Sequence, residues 1–249
     1  MTRLADLTSP ALATLVAAGR PVVALVPVGS TEPHGPHLPL ATDVIISDAA
    51  CARAVAMLDG AGVTALVAPA VPYGVTECAT GFPGAVSVPA AVLTAYLSAV
   101  VDGLLAQGIA HVCLVNNHLE PEHDAAVRAA ITQTSRASVA CPLTRRWART
   151  LSAEFKSGAC HAGRYETSIV QAAAPALVDE AARAALPEVP ISLSEKLKAG
   201  VNTFAAMGME RAYAGAPAAA TAAEGDEQLA RLAEMIVSEV REALAAGSA

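Results

Sequence analysis

The chain has 249 residues, 54% of them hydrophobic but only 3% aromatic, with about a quarter Ala, so a real core is available, closed by Ala, Val and Leu, and disorder is excluded as the main state. Sixteen Lys and Arg against 23 Asp and Glu leave a net charge of -7, the wrong sign for a chain that tracks a phosphate backbone, and no apolar run reaches the roughly 18 residues of a membrane span. Asp6 and Thr8 stand where an export signal would begin its apolar core, and the five Cys lack C-x-x-C spacing, so the reading is a cytoplasmic protein without a disulfide framework or a zinc ribbon.

Val22 to Val28 is a short apolar run rich in β-branched residues that ends at Gly29, the pattern of a buried parallel strand. Thr42 and Asp43 are both N-cap residue types, and a helical pattern from Val44 to Leu58 stops at Asp59-Gly60. Strand Val63 to Ala68, a long loop from Pro69 to Pro83 and helix Pro89 to Gln107 repeat that order. Strand His111 to Val115 runs into Asn116-Asn117-His118, followed by helix Glu122 to Thr134, a strand near Ser138 to Cys141 and a helix from about Arg145 to Lys156. Past Ala174, Ala-rich segments with Pro187, Pro190 and Pro217 define no second core, and an exposed amphipathic helix closes the chain from about Gly225 to Ala246. Strands alternating with helices predict one domain over residues 1–249, a three-layer α/β/α fold with a mostly parallel sheet. Ligands of such sheets bind beyond the carboxyl ends of the strands, so the loops starting at Gly29, Pro69 and Asn116 share one rim.

Three clusters lie in post-strand loops or at a helix entrance. In the first, Glu32 and His34 sit two apart in a Pro- and Gly-stiffened loop, which places both side chains on one side of an extended backbone, and Asp43 returns from the next helix. The plain alternative makes Asp43 an N-cap and His34 and His37 surface residues. The second cluster, Asn116 to His123, again pairs His and Glu two apart, at His118 and Glu120; here the alternative is a turn, with Glu120 and Glu122 serving a helix N-terminus. The third, Cys160 to Ser168, offers His161 as a proton shuttle and Glu166 as a further ligand or as an ordinary first-turn residue. Mixed imidazole and carboxylate ligands suit zinc, manganese or iron, and five of them hold two ions if one carboxylate bridges.

VPVGSTEPHGPHLPLATD resembles the signature of the creatininase (creatinine amidohydrolase) family, with its Glu-x-His-Gly-x-His-Leu-Pro core followed by Asp. NNHLE, HAGRYETS, Tyr73-Gly74 and Phe82-Pro83-Gly84 resemble further family segments, in family order through residues 20 to 175. The resemblance implies a binuclear metal hydrolase acting on C–N amide bonds of a small molecule, lactam or terminal peptide, assembled as a hexamer. It places Glu32, Asp43 and His118 on one ion and His34, Asp43 and Glu120 on the other, with Asp43 as the bridge and His161 as the acid/base near the scissile bond. Pro33, Asn117, Leu119 and Cys78-Ala79 depart from the family pattern, and Trp147 is the only Trp, which points away from creatinine as the substrate. Thr76, Leu119 and Arg164 are the candidate substrate contacts.

Amide hydrolysis needs a nucleophile, an electrophile at oxygen and a proton for nitrogen. A hydroxide bridging two ions supplies the first, an ion the second, and His161 the third, with Glu122 or Glu166 as base for the water. A serine hydrolase would need G-x-S-x-G and a nucleotide enzyme G-x-G-x-x-G or a P-loop, none of which follows a strand. The remaining alternative is a non-catalytic, metal-binding family member that acts as an interaction subunit.

Overall fold

The apolar run after Pro21 becomes β1 (Val22–Val28), buried throughout, and it is central because both faces can be covered. The computed structural model describes residues 2–247 and places beside it β2 (Thr64–Val67), β3 (His111–Asn116) and β4 (Ala137–Ala140). All pairings are parallel and the spatial order is β2-β1-β3-β4, with Val22 opposite Thr64, Val23 opposite His111 and Val112 opposite Ala137.

The helices are α1 (Ser9–Ala17), α2 (Thr42–Gly60), α3 (Ala90–Ala106), α4 (Pro121–Ala129), α5 (Arg145–Ala148), α6 (Ala153–Ser157), α7 (Arg164–Ala173), α8 (Glu180–Ala184), α9 (Leu193–Lys198), α10 (Phe204–Met207) and α11 (Ala222–Ala246). Alternation along β1 divides them. Val23 and Leu25 face a core built from α2, α7 and α11, whereas Ala24, Val26 and Val28 face α3 and α4, with α1 alongside. The three-layer α/β/α arrangement follows from that alternation. Because α2 crosses from β1 to β2 on one face and α3 crosses from β2 to β3 on the other, the chain leaves a crevice between the carboxyl ends of β1 and β3.

Several elements differ from the sequence reading. The helix expected over Arg145 to Lys156 is two helices, because Ser152 caps α6, its hydroxyl accepting the Phe155 N–H at 3.2 Å. α4 ends at Ala129 rather than Thr134, where tighter turn bonds replace the helical ladder. α11 is not an exposed helix: Leu229, Leu232, Ile236 and Val240 are buried against α7 and α2. Nor is the stretch past Ala174 without a core. Phe204, Met207, Met209, Ala212 and Ala214 enclose Cys78 and Ala79 in a small third cluster beside the rim. All five Cys are free, and no helix among the described residues is long and apolar enough to cross a membrane.

The seam between α11 and α7 carries α7 into the site and depends on one small residue. A Cβ at Gly225 would lie 1.8 Å from the Ser168 carbonyl oxygen, and Ser168 Oγ accepts the Thr221 N–H at 3.0 Å. Helix propensity alone favours Ala over Gly by about 1 kcal/mol, while overpacking a tight seam costs about 1–3 kcal/mol or more. Gly225→Ala is therefore expected to lower the urea midpoint, with a net loss of up to about 2 kcal/mol; a stabilised variant would show that the seam can open freely.

Candidate metal centre

The first loop folds back as it leaves β1: the Glu32 N–H donates to the Leu40 carbonyl at 3.1 Å and the Gly35 N–H to the Ala212 carbonyl at 2.8 Å. This turns Glu32 and His34 inward. A Cβ at Gly29 would come within 2.7 Å of Asp43 Cβ, so the start of α2 approaches the strand end only because residue 29 has no side chain. Neither Thr42 nor Asp43 is the cap of α2, since the capping position falls on Ala41. Asp43 instead points into the crevice, where its Oδ2 accepts the Ser30 N–H at 3.2 Å.

The Asp43 carboxylate lies between two imidazoles, with Oδ1 3.1 Å from His34 Nε2 and Oδ2 3.0 Å from His118 Nδ1. Glu32 Oε1 is 3.3 Å from His118 Nδ1, and Glu166 Oε2 is 3.5 Å from His34 Nε2. The hydroxyl of Thr76 donates to Glu32 Oε2. Glu120 stands at the outer edge, 4.0 Å from His118 Nε2, with its oxygens accepting the N–H groups of Glu77 and Cys78 at 3.0 and 3.1 Å. Glu32, His34, Asp43, His118, Glu120, His161 and Glu166 are all buried.

The three histidines of the cluster share one arrangement. His34 Nδ1 donates to the Glu32 carbonyl at 3.1 Å, His118 Nε2 to the Val75 carbonyl at 2.7 Å and His161 Nε2 to the Pro33 carbonyl at 3.0 Å. A carbonyl only accepts, so each ring is held with its other nitrogen turned toward the carboxylates, as histidine ligands of metals are held. His34 Nε2 is buried without a hydrogen-bond partner among the described residues although carboxylate oxygens surround it. A nitrogen lone pair, two flanking carboxylates and no competing donor form a donor set that fits a divalent cation. Three groups of ligand atoms lie within 4.8 Å of one another: Glu32, His118 and Glu120; His34, Asp43 and Glu166; and Glu32, His34 and His161.

Electrostatics without an ion have the same origin. Burial by itself disfavours every charge here, but Asp43 overrides it at His34 and raises that ring to about 10, while Glu32 and Asp43 raise His118. In return, His118 holds Glu32 down to about 2 against its burial, and His34 and His118 hold Asp43 low. Glu166 is pushed up to about 8 by burial, and His161 down to about 4 by burial and then by the nearby His34 charge.

Some expected site residues do not meet there. Glu122 is exposed on the first turn of α4 and makes no contact with the cluster, because Pro121 starts the helix and turns that position to solvent. Arg164 is exposed and pairs with Glu224 at 2.5 Å, which directs it away from the cavity. The set His34, Asp43 and Glu120 does not assemble, since Glu120 is tied to the backbone of Glu77 and Cys78 and Glu166 takes the place beside His34. Leu119 lines the cavity, of about 40 Å³, and Thr76 faces Glu32. Sequence reasoning missed Leu193, Leu197 and Phe204 in the wall, with the Phe204 ring 4.3 Å from His161; the Leu193/Leu197 pair at i,i+4 was the available signal. It also missed His123, whose Nδ1 accepts the Val75 N–H at 3.2 Å and whose ring packs edge-on against His118.

A family model described as Creatininase, creatinine amidohydrolase, matches residues 5–240. The chain belongs to the creatininase family. It is a hydrolase of C–N amide bonds. It is 32% identical over 212 residues to the mycofactocin precursor peptide peptidase of Mycolicibacterium smegmatis, covering 84% of this chain and 80% of the relative. It is 34% identical over 110 residues to the creatinine amidohydrolase of Pseudomonas putida, covering 42% and 40%. Among solved structures, one described as Creatininase Mn superposes with a TM-score of 0.73 at 24% identity over 97% of this chain and 98% of that one. A creatininase variant described as Zn-Zn type superposes with a TM-score of 0.72 at 22% identity over 96% of each chain. These likenesses establish the creatininase fold.

The charge pattern sets a pH dependence for protein stripped by chelator. His34 has a folded value near 10 against about 6.5 unfolded, so its stabilisation is full below about 6.5 and is lost as pH rises through 10. Glu166, raised to about 8, loses its contribution in the same direction as pH rises through 8. Stripped protein should have a lower Tm at pH 10 than at pH 7, and His34→Asn should lessen that difference. An unchanged Tm across this window would contradict a protonated His34.

Proposed function

We propose that this creatininase-family hydrolase is a binuclear metal amidohydrolase that cleaves a terminal peptide bond or the C–N bond of a small amide or lactam. The observation that carries the reading is the position of Asp43, with one carboxylate oxygen 3.1 Å from His34 and the other 3.0 Å from His118. Glu32, Asp43 and His118, with Glu120 beside them, would hold one zinc, manganese or iron ion, and His34, Asp43 and Glu166 the other. When bound, such ions supply an electrophile for the carbonyl oxygen and a water acidic enough to attack near neutrality.

The chain's own groups then have distinct tasks. His161 donates through Nε2 to Pro33 and leaves Nδ1 as an acceptor facing Glu32 at 3.8 Å. It is thus arranged to accept a proton from the attacking water and pass it to the departing nitrogen, a base before it is an acid. Glu120, fixed by two backbone N–H groups at the outer edge, replaces Glu122 as the carboxylate placed to assist. Leu119, Leu193, Leu197 and Phe204 present an apolar wall to the group attached to the amide, and the mycobacterial peptidase relative supports a peptide as that group. The working form is a cytoplasmic hexamer; the exposed Val92 and Tyr96 on α3 support burial of that helix face against another subunit.

Elemental analysis of protein purified without chelator is expected to find close to two ions per chain. Asp43→Ala should remove both, whereas Glu32→Ala or His34→Ala should spare part of the metal; retention of both ions in Asp43→Ala would reduce Asp43 to a helix-terminus residue.

For catalysis, His161→Ala should lower kcat by roughly 10²- to 10⁴-fold with metal content unchanged. Amides with better leaving amines should suffer less from that change. Lost metal in this variant would make His161 a ligand, the role left open by its grouping with Glu32 and His34. Creatinine is expected to be a poor substrate, because Leu119 and Cys78 shape this wall.

A further inference from the structure

The cavity at the cage, about 40 Å³, has room for little beyond the reacting amide, so a larger substrate must extend elsewhere. One route is open. A groove of about 450 Å³ lies between the start of α4, α5, α6 and α9 and shares Leu119, Cys160, Leu193 and Leu197 with the cavity wall. Leu143, Ala148 and Phe155 extend its apolar lining, and Arg145, Arg149, Lys156 and Lys198 stand exposed around it; none of its lining residues is acidic.

On a chain of net charge -7, four cations around one groove reverse the local sign. Eight of the 16 Lys and Arg residues form an ion pair among the described residues, and the four at the groove are among the eight that do not. Arg3, Arg146 and Arg164 each hold a carboxylate, at 2.7, 2.7 and 2.5 Å, whereas the four groove cations form no ion pair among the described residues. Arg146, adjacent to Arg145 in the chain, turns away to Glu242 and lies over Trp147. Uncompensated like charges around an apolar floor repel one another and fit an occupant that has apolar side chains and several negative charges. No exposed aromatic side chain lines the groove to stack a nucleobase, and Phe155 is buried, which favours peptide over nucleic acid.

We propose that this groove binds the flanking segment of an acidic peptide substrate, apolar side chains on the floor and Asp or Glu carboxylates at the cationic rim, and so delivers the scissile bond to the cage. The proposal rests on the amidohydrolase reading above, so binding is to be measured apart from turnover. The probe is a fluorescein-labelled Leu-Glu-Leu-Glu peptide with an amidated C-terminus, compared by anisotropy with its Leu-Gln-Leu-Gln counterpart, on chelator-treated and on metal-loaded full-length protein. The acidic peptide should bind roughly tenfold tighter or better at low salt, and the difference should collapse at 1 M salt, where the Debye length is about 3 Å. Arg145→Glu with Arg149→Glu should remove the preference. So should Lys156→Glu with Lys198→Glu, a pair on different helices that guards against misfolding of either variant.

Equal affinity for the two peptides, or a preference that survives both double variants, would overturn the proposal. Affinity that requires a free C-terminal carboxylate and ignores the Glu side chains would overturn it too, since the groove would then read a chain end. Light scattering of the same variants provides a further check: if reversing the rim changes the oligomeric state, the groove is a contact between copies and the proposal fails. Selective peptide binding without hydrolysis of any amide by metal-loaded protein would keep the groove and reject the hydrolytic reading of the cage. Hydrolysis without acidic preference would do the reverse.

Discussion

Crowded negative charge at the cage is the constraint around which this protein is arranged. Two like charges about 4 Å apart repel by about 4 kcal/mol at a typical effective dielectric of 20; Glu32 and Asp43 both meet His34 and His118, and Glu166, held protonated by burial, meets His34. Such a cluster folds only if opposite charge and directed donors surround it. His34 and His118 supply the charge, and the N–H groups of Ser30 and Ala162 and the hydroxyl of Thr76 supply donors. Ala162 adopts a left-handed φ of 49° and donates to Glu166 Oε2 at 2.7 Å, a backbone conformation that costs a non-Gly residue about 1–2 kcal/mol. Local strain is accepted where it provides a donor to a buried carboxylate.

The sheet explains why that charge collects where it does. With β1 central and the crossovers to β2 and β3 on opposite faces, the loops after β1 and β3 diverge and leave the crevice that holds the cage. Glu32, His34 and Asp43 come from the β1 side, His118 and Glu120 from the β3 side. Glu166 reaches the crevice on α7, which is pressed against α11 at the Gly225 seam. A helix remote from the crevice thereby fixes the position of a carboxylate inside it.

The sheet and the ligand-bearing loops were legible because they rest on local rules. The run Val22 to Val28 needs both faces covered, and a spacing of two in a stiff loop points two side chains one way. Grouping of the carboxylates was not legible, because the distance between Glu120 and His34 depends on the Glu77 and Cys78 N–H groups, contributed by a loop more than 40 residues upstream. Likewise, nothing near Glu122 or Arg164 in the chain reveals that one faces solvent and the other meets Glu224, which is 60 residues away. The stretch past Ala174 was opaque for a different reason. Before α11 its helices α8, α9 and α10 are four to six residues long, too short for periodicity to register; α9 and α10 pack with Cys78 and Ala79, and α8 is tied through Arg183 to the Pro217 and Ala218 carbonyls.

That late stretch divides the labour within the site. The cage residues are bound to one another by charge, so replacing one alters the protonation of the rest. Leu193, Leu197 and Phe204 carry no charge and belong to elements that contribute no member of the cage, so the wall can change shape while the charge balance stands. Their side chains touch where the Phe204 ring lies 4.3 Å from His161, which in turn lies 4.5 Å from the His34 ring. Phe204 therefore helps exclude water from the imidazole and bounds the space open to the substrate, so burial at His161 and the shape of the pocket are set by the same side chain.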